Sequence, residues 1–259
     1  MKPVKYKMFS LDPASKNKML DLVGTHAGSV NHKYNRAQKL IVRWNNIESK
    51  MSRIIKRGNC NTLVSQMAYI ILLVMKTGIR IGNAESASGY ISTNKFGDYY
   101  NKEVKTYGAI TLQVRHIKKN GGNIVLNFIG KKQIIVITTT NDKVLLKYYE
   151  NMIKDKDKND QFLDEAVTYT LINNFVKKYI GKKFSAKDLR TAKVNLMFIE
   201  ETLYPYPKDD IKKAGVNKIV KEVFVRTAKR AGHTPTVCRS KYVSPDLLFN
   251  YKESMLVNF

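Results

Sequence analysis

The sequence is poor in cysteine and lacks a long apolar run, and each shortage excludes a class of protein. Its two cysteines, Cys60 and Cys238, are too few and too far apart for a disulfide framework or a zinc site. The longest apolar run, from Met67 to Met75, is too short to cross a bilayer and ends at Lys76. The first thirty residues show no apolar stretch with a cleavage site, so we expect no secretory signal. These absences predict an intracellular protein that does not enter a membrane.

Acidic residues are also scarce relative to basic ones. The chain has 46 Lys and Arg against 21 Asp and Glu, which gives a formal net charge of +25 at pH 7. Such a surplus repels itself in a compact chain unless a polyanion screens it. DNA or RNA is the polyanion that this charge favours. Lysine-rich codon usage in an AT-rich genome is the alternative source of the charge, and that usage also favours a large DNA virus as the origin.

Helical periodicity dominates the sequence outside its middle third. Apolar residues recur at three- and four-residue steps over 35–57, which predicts a helix that Gly58 ends. Residues 61–77 are apolar on nearly all sides, and a helix of that kind is buried. Further helices are predicted at 141–153, 168–179, 186–202, 211–231 and 245–257.

The middle of the chain has the pattern of a β-sheet. Residues 109–117 alternate apolar and polar side chains, and glycine-containing turns follow at 120–122 and 130–132. Three antiparallel strands are predicted at 109–117, 124–129 and 134–139, with Lys131 at the tip of the second hairpin. The fold class is therefore α+β: a mainly α-helical domain with an inserted three-stranded antiparallel sheet. Residues 1–34 are predicted to form a short N-terminal arm or a reduced domain, and residues 35–259 the main domain.

Signals for metal and nucleotide sites are missing. The histidines His26, His32, His116 and His233 have no ligand spacing, and no glycine-rich phosphate loop is present. No pair of acidic residues stands out as a two-metal nuclease site. An enzyme of nucleic acids with this sequence therefore needs cationic side chains to stabilise phosphate charge. It also needs a nucleophile that the protein itself supplies.

A small set of residues in one order meets both needs. Each has an ordinary structural reading when taken alone: a helix-capping cation, a turn lysine, a surface salt bridge with Asp188 or Glu201, or a core aromatic. Their order is what is specific. The set comprises Arg80 in Thr77-Gly78-Ile79-Arg80, Lys131 at the hairpin tip, Arg190 in Lys187-Asp188-Leu189-Arg190, His233 in Gly232-His233-Thr234-Pro235, and Tyr242 nine residues after His233.

This order resembles the active-site motifs of the poxvirus-type (type IB) DNA topoisomerases, which share a superfamily with the tyrosine recombinases. The resemblance runs from about residue 35 to Tyr242. It implies that residues 35–259 form a catalytic domain, and that Tyr242 attacks a DNA phosphodiester to form a 3′-phosphotyrosyl bond. The duplex then rotates about the intact strand and the break is resealed, which relaxes supercoiled DNA without ATP, metal or another cofactor.

The resemblance also implies a role for each residue of the set. Arg80, Arg190 and His233 would contact the non-bridging phosphate oxygens, and Lys131 would protonate the leaving 5′-oxygen. Lys187 would assist Lys131. The partner would be double-stranded DNA, and the enzyme would act as a monomer because one chain supplies all these residues. Its location would be that of its DNA, in the virion or the host cytoplasm for a viral source.

The basic residues ahead of Arg80 are candidates for contacts with the DNA backbone. Arg36, Lys39 and Arg43 are predicted to bind phosphate, each with a modest, salt-dependent contribution. The chain departs from the family in having Ala192 where a tyrosine is common, although Asn195 matches a frequent asparagine. Short segments before the first matching helix and after Tyr242 predict a reduced DNA clamp.

Two alternative functions fit the same sequence features. A tyrosine recombinase or integrase shares the fold and the order of residues, but recombinases typically have histidine three residues before the second arginine, where this chain has Lys187. A non-catalytic, basic DNA-packaging protein would fit the charge equally well. It would not need the complete set of catalytic residue types.

Overall fold

The computed structural model describes residues 8–9, 32–93, 99–203, 206–207 and 215–257. In those ranges, no helix combines the length and the apolar character that crossing a membrane requires. The helices are α1 (His32–Val42), α2 (Trp44–Arg57), α3 (Leu63–Thr77), α4 (Ala84–Ser88), α5 (Lys143–Met152), α6 (Tyr169–Tyr179), α7 (Ala186–Thr202), α8 (Val216–Ala231), α9 (Pro235–Lys241) and α10 (Pro245–Val257). The strands are β1 (Met8–Phe9), β2 (Tyr90–Thr93), β3 (Tyr99–Val104), β4 (Ile117–Asn120), β5 (Asn123–Gly130), β6 (Ile134–Thr140) and β7 (Tyr206–Pro207).

The predicted α+β class is confirmed. Strands β4, β5 and β6 form an antiparallel three-stranded sheet in that order, and β1 pairs with β7 and β2 with β3 as separate two-stranded sheets. The sequence pattern does not predict these two smaller sheets. Of the predicted N-terminal arm, only residues 8–9 and 32–34 are described, so its boundary stays a prediction.

The chain divides into two compact units, Arg43–Arg190 and a second one made of Met1–Val42 and Thr191–Phe259. The predicted single helix over 35–57 is wrong, because α1 ends at Val42 and α2 begins at Trp44. The break is at Arg43, whose φ and ψ are −98° and 8°. The apolar stripe runs across this break without changing its spacing, so periodicity cannot reveal it.

Helix α3 is the centre of the unit Arg43–Arg190. Every residue from 68 to 75 is fully buried, as the all-round apolar sequence predicts. The side chain of Thr62 caps its first turn by accepting a hydrogen bond from the Ser65 N–H. Helix α3 contacts α2, α5, α6 and β6, and the inward side chains of β5 are buried at alternate positions.

The first predicted strand, 109–117, is wrong over most of its length. Only Ile117 belongs to β4, and two 3-10 turns, Ala109–Thr111 and Val114–His116, replace most of the rest. The backbone donors explain the difference, because Ala109 and Ile110 donate to the carbonyls of Arg80 and Ile81. These amides are therefore unavailable to a neighbouring strand.

The second unit packs α8 against α9 and α10. Aromatic rings fill its centre, with Phe198 5.1 Å from Phe224 and 6.0 Å from Tyr251 between ring centroids. At its surface, Glu201 accepts hydrogen bonds from Arg226 Nε and Arg230 Nη1, both at 2.8 Å. Burial raises the pKa of Glu201, but the hydrogen bonds and charges of the two arginines outweigh it and lower that pKa.

We expect Glu201→Gln to lower the free energy of unfolding at pH 7 by about 1 kcal/mol, since the charge network is partly exposed. A lowered folded-state pKa contributes stability that is present above the unfolded-state pKa and is lost as the pH falls through the folded-state pKa. The difference between wild type and variant should therefore vanish at strongly acidic pH. Urea unfolding at both pH values measures it, and an equal difference at the two would contradict the ion pairing.

Candidate active site

Arg80 follows directly on the buried helix α3. Gly78 ends that helix in the left-handed conformation, with φ 71°, and its N–H donates to the Val74 carbonyl at 2.8 Å. The turn leaves Ile79 buried and Arg80 half-buried. The sequence prediction that Arg80 stands at the end of a buried helix is confirmed.

The backbone around Arg80 is fixed against the segment that begins at Gly108. The N–H of Ala109 donates to the Arg80 carbonyl at 2.8 Å. The two backbone segments pass so closely that a Cβ added to Gly108 would lie 2.6 Å from the Gly82 Cα and 2.9 Å from the Arg80 carbonyl oxygen. Only glycine fits at this crossing, so the glycines hold the arginine's backbone in place.

Arg190 is buried and linked to the same turn. Its Nε donates to the Gly78 carbonyl at 2.7 Å, and its exposed fraction is 4%. Helix α7, which carries it, starts with a reciprocal cap in which Asp188 accepts from the N–H and hydroxyl of Ser185. Because Gly78 lies two residues before Arg80, this bond brings the two predicted arginines to one turn.

The two predicted lysines are exposed. Lys131 lies at the tip of the β5–β6 hairpin, as predicted, where Lys132 and Gln133 have positive φ values of 63° and 58°. Lys187 lies in the first turn of α7. Lys131 thus lies on a three-residue turn and Lys187 on a long helix, and each has a long, flexible side chain.

His233 lies where α8 ends and α9 begins. Gly232 ends α8 in the left-handed conformation, and the His233 N–H donates to the Ala228 carbonyl at 3.1 Å. Thr234 then caps α9, with Pro235 at its first position. This short helix is not among the predicted ones, although Thr followed by Pro is a recognised helix-start signal.

Tyr242 ends α9 and lies beside His233. Both side chains are buried, and their rings are parallel within 3° with centroids 4.9 Å apart. The nine residues from His233 to Tyr242 thus contain the short helix α9, and the side chains at its two ends meet. The sequence predicts the pair but not its stacking.

Asn195 holds the backbone on the far side of Tyr242. Its Nδ2 donates to the Tyr242 carbonyl at 2.9 Å, and its Oδ1 accepts from the Ser244 N–H at 2.9 Å. Asn195 is fully buried, and so is Ala192. No role for Asn195 follows from the sequence, whereas in the structure its side chain clamps the Tyr242 backbone.

The predicted phosphate contacts differ in their surroundings. Arg36 is half-buried and Lys39 exposed, both on α1. Arg43 is exposed, but its Nη2 donates to the Ile180 carbonyl at 3.1 Å, and its guanidinium lies 5.9 Å from the Phe184 ring centroid. Arg43 therefore stabilises the end of α6.

The predicted residues fall into two groups. The arginine group, Arg80 and Arg190, meets at Gly78 in the unit Arg43–Arg190, to which Lys131 and Lys187 also belong. The tyrosine group, His233 and Tyr242, lies in the other unit, which also contains Asn195 and its bond to the Tyr242 carbonyl. In the parts of the chain that the structure describes, no three His, Cys, Asp or Glu side chains cluster as a metal site would require.

The family follows from comparison with known sequences. Residues 25–255 match the sequence model of the family described as eukaryotic DNA topoisomerase I, catalytic core. The chain belongs to this family. The match extends over the arginine group and the tyrosine group together, which confirms the resemblance drawn from their order.

Viral DNA topoisomerases are among the proteins to which the chain is similar. DNA topoisomerase 1B of Acanthamoeba polyphaga mimivirus is 30% identical over 162 residues, 56% of this chain and 47% of that protein. DNA topoisomerase 1B of vaccinia virus (strain Copenhagen) is 26% identical over 165 residues, covering 60% and 48%. DNA topoisomerase 1 of rabbit fibroma virus (strain Kasza) is 25% identical over 206 residues, covering 76% and 58%. The chain spans about half the length of these relatives, which agree with the viral source expected from composition.

A weaker likeness links the chain to a recombinase structure. The XerH site-specific recombinase bound to its difH substrate, in a pre-cleavage complex, aligns with 75% of this chain and 48% of its own. The TM-score is 0.43 and the identity 12%. A likeness at this level carries no argument about function.

We expect Gly108→Ala to lower the free energy of unfolding by about 1–3 kcal/mol, as overpacking does. The φ of Gly108 is −152°, which alanine adopts freely, so the loss would come from the close contacts with Gly82 and the Arg80 carbonyl oxygen. Gly122→Ala is the matched control, because nothing lies within 4 Å of its added Cβ. Urea unfolding compares the two, and equal losses would rule out the close contact.

We expect Asn195→Ala to cost about 2–3 kcal/mol of stability, because it strands the Tyr242 carbonyl and the Ser244 N–H in a buried site. Asn174→Ala, at an exposed position of α6, should change stability by no more than about 0.5 kcal/mol. Thermal and urea unfolding of both variants test this. If Asn195→Ala is as mild as Asn174→Ala, the clamp contributes nothing.

Proposed function

We propose that the protein is a type IB DNA topoisomerase that relaxes supercoiled duplex DNA by breaking and resealing one strand. The observation that carries the proposal is the stacked pair of His233 and Tyr242, with the backbone of Tyr242 clamped by Asn195. A tyrosine held in this way beside a histidine suits a nucleophile that attacks phosphate. Membership of the topoisomerase family supports the same reading.

In the proposed reaction, the Tyr242 oxygen attacks the phosphorus of a DNA phosphodiester and releases its phenolic proton to solvent. The bond from phosphorus to the 5′-oxygen breaks, and a 3′-phosphotyrosyl bond forms in its place. The duplex rotates about the intact strand, and the free 5′-hydroxyl then attacks the phosphotyrosine to reseal the break. One ester bond replaces another at each step, so the cycle needs no ATP.

The arginine group and His233 supply the positive charge that the transition state needs. Arg80 and Arg190 donate to the non-bridging phosphate oxygens, because guanidinium is planar, always charged and able to donate two parallel hydrogen bonds. The buried bond from Arg190 Nε to the Gly78 carbonyl holds the guanidinium beside the turn that leads to Arg80. Fixed cations of this kind perform the charge stabilisation that Mg²⁺ provides in other phosphoryl-transfer enzymes.

Lys131 acts as the general acid in this scheme. The leaving 5′-oxygen is a poor leaving group unless it is protonated as the bond breaks. Lys131 stands on an exposed hairpin tip, and its long side chain can reach that oxygen once DNA is bound. Lys187 assists it from the first turn of α7.

In this proposal, electrostatic attraction between basic side chains and phosphates holds the DNA. A net charge of +25 attracts the duplex, and Arg36 and Lys39 contact its phosphates. Arg43, whose Nη2 already bonds to Ile180, contributes through its remaining donors. Since affinity of this kind depends on counterion release, binding should weaken steeply as salt rises.

The direct test is plasmid relaxation in EDTA without ATP, with wild type beside Tyr242→Phe. Wild type should relax the plasmid, and the variant should lose activity by at least about a thousandfold because the nucleophile is gone. DNA binding by the variant should be unchanged. Relaxation by both proteins would exclude Tyr242 as the nucleophile, and relaxation by neither would favour the recombinase or the DNA-packaging alternative.

The role of Lys131 has its own test, on a duplex carrying the cleavage site mapped with plasmid DNA. Lys131→Ala should slow strand cleavage about a hundredfold or more, as loss of a general acid does. A 5′-bridging sulfur in place of oxygen should restore the rate, because a thiolate leaves without a proton. Absence of this rescue would assign Lys131 a role other than proton donation.

A further inference from the structure

The two peptide groups that flank the Cα of Tyr242 are each held by a side-chain nitrogen. Asn195 Nδ2 donates to the Tyr242 carbonyl at 2.9 Å, and Lys33 Nζ donates to the Lys241 carbonyl at 2.8 Å. A peptide group is planar, so fixing the planes on both sides of a Cα restrains its φ and ψ. The direction of the Tyr242 side chain therefore depends on both donors.

Helix α9 by itself holds these two peptide groups only through their N–H groups. The φ and ψ of Tyr242 are −125° and −50°, outside the helical region. The N–H groups of Tyr242 and Val243 both donate to the Cys238 carbonyl at 3.1 Å, which leaves later carbonyls of the helix without intrahelical donors. A lysine ammonium at a helix C-terminus satisfies such a carbonyl and is attracted by the helix dipole.

Lys33 is itself held in place by a second contact. Its Nζ lies 4.1 Å from the centroid of the Tyr34 ring, within range of a cation–π interaction. Tyr34 is buried, with 4% of its surface exposed, and anchors the first turn of α1. The ammonium group is thus placed between an anchored ring and the Lys241 carbonyl.

We propose that Lys33 is a positioning residue for Tyr242, which makes helix α1 part of the catalytic apparatus. Lys33 acts by fixing the Lys241–Tyr242 peptide group and has no contact with the reacting phosphate. Its effect therefore falls on the rate of cleavage by bound enzyme, whereas Arg36 and Lys39 on the same helix affect DNA affinity. The inference rests on the proposed topoisomerase function.

The test is single-turnover cleavage of a duplex with the mapped site, under saturating enzyme, alongside measurement of the DNA dissociation constant. Lys33→Met keeps the length of the apolar stem and removes the donor, so the cleavage rate should fall about fivefold with affinity unchanged. Lys33→Arg should restore most of the rate, since guanidinium also donates to a carbonyl. Lys229→Met, at an exposed lysine of α8, is the matched control and should cleave like wild type.

Two further readouts separate positioning from other roles. The 5′-bridging sulfur substrate should leave Lys33→Met slow relative to wild type, because the lysine acts on the nucleophile and not on the leaving group. The melting temperature of Lys33→Met should stay close to that of wild type, because the side chain is partly exposed.

Several outcomes would overturn the inference. A weaker DNA affinity with an unchanged saturated rate would make Lys33 a phosphate contact. A fall in melting temperature that Lys33→Arg does not restore would make its role structural. A wild-type rate for Lys33→Met would refute the inference alone, whereas failure of wild type to cleave any DNA would refute the proposed function first.

Discussion

The arginine group and the tyrosine group each depend on one hydrogen bond that a buried side chain of α7 donates to a backbone carbonyl. Arg190 Nε bonds to Gly78, two residues before Arg80, and Asn195 Nδ2 bonds to Tyr242 itself. A buried polar group left without a partner costs on the order of 1–3 kcal/mol. Each bond therefore fixes the loop that it reaches, and the orientation of Arg80 and Tyr242 follows from that constraint.

In the proposed chemistry, rigidly held groups stabilise charge and an exposed side chain donates a proton. The turn that carries Arg80 is pinned by the crossing of Gly82 and Gly108, and Tyr242 is stacked on His233. Groups that stabilise developing charge gain from being fixed in advance, because no reorganisation is then needed in the transition state. Lys131 has the opposite setting, on an exposed hairpin tip, which suits a proton donor that must reach a leaving oxygen.

Elements set by local sequence patterns were predicted correctly, whereas elements set by bonds between residues distant in sequence were not. Helix α3 and the β5–β6 hairpin were predictable, because burial on all sides and alternation are local patterns. The strand predicted at 109–117 was not formed, because Ala109 and Ile110 bond to the distant Arg80 turn. Helix α9 was not predicted because seven residues show too little periodicity, although Thr234-Pro235 is a recognisable helix start.

The sequence alone determined the basic charge, the α+β class, the order from Arg80 to Tyr242 and the family to which that order belongs. The tertiary structure alone decided that His233 stacks on Tyr242 and that Asn195 and Lys33 hold its flanking peptides. These partners lie 47 and 208 residues from the carbonyls they bind. No local pattern encodes such pairs, because the packing of the whole chain selects which donor meets which carbonyl.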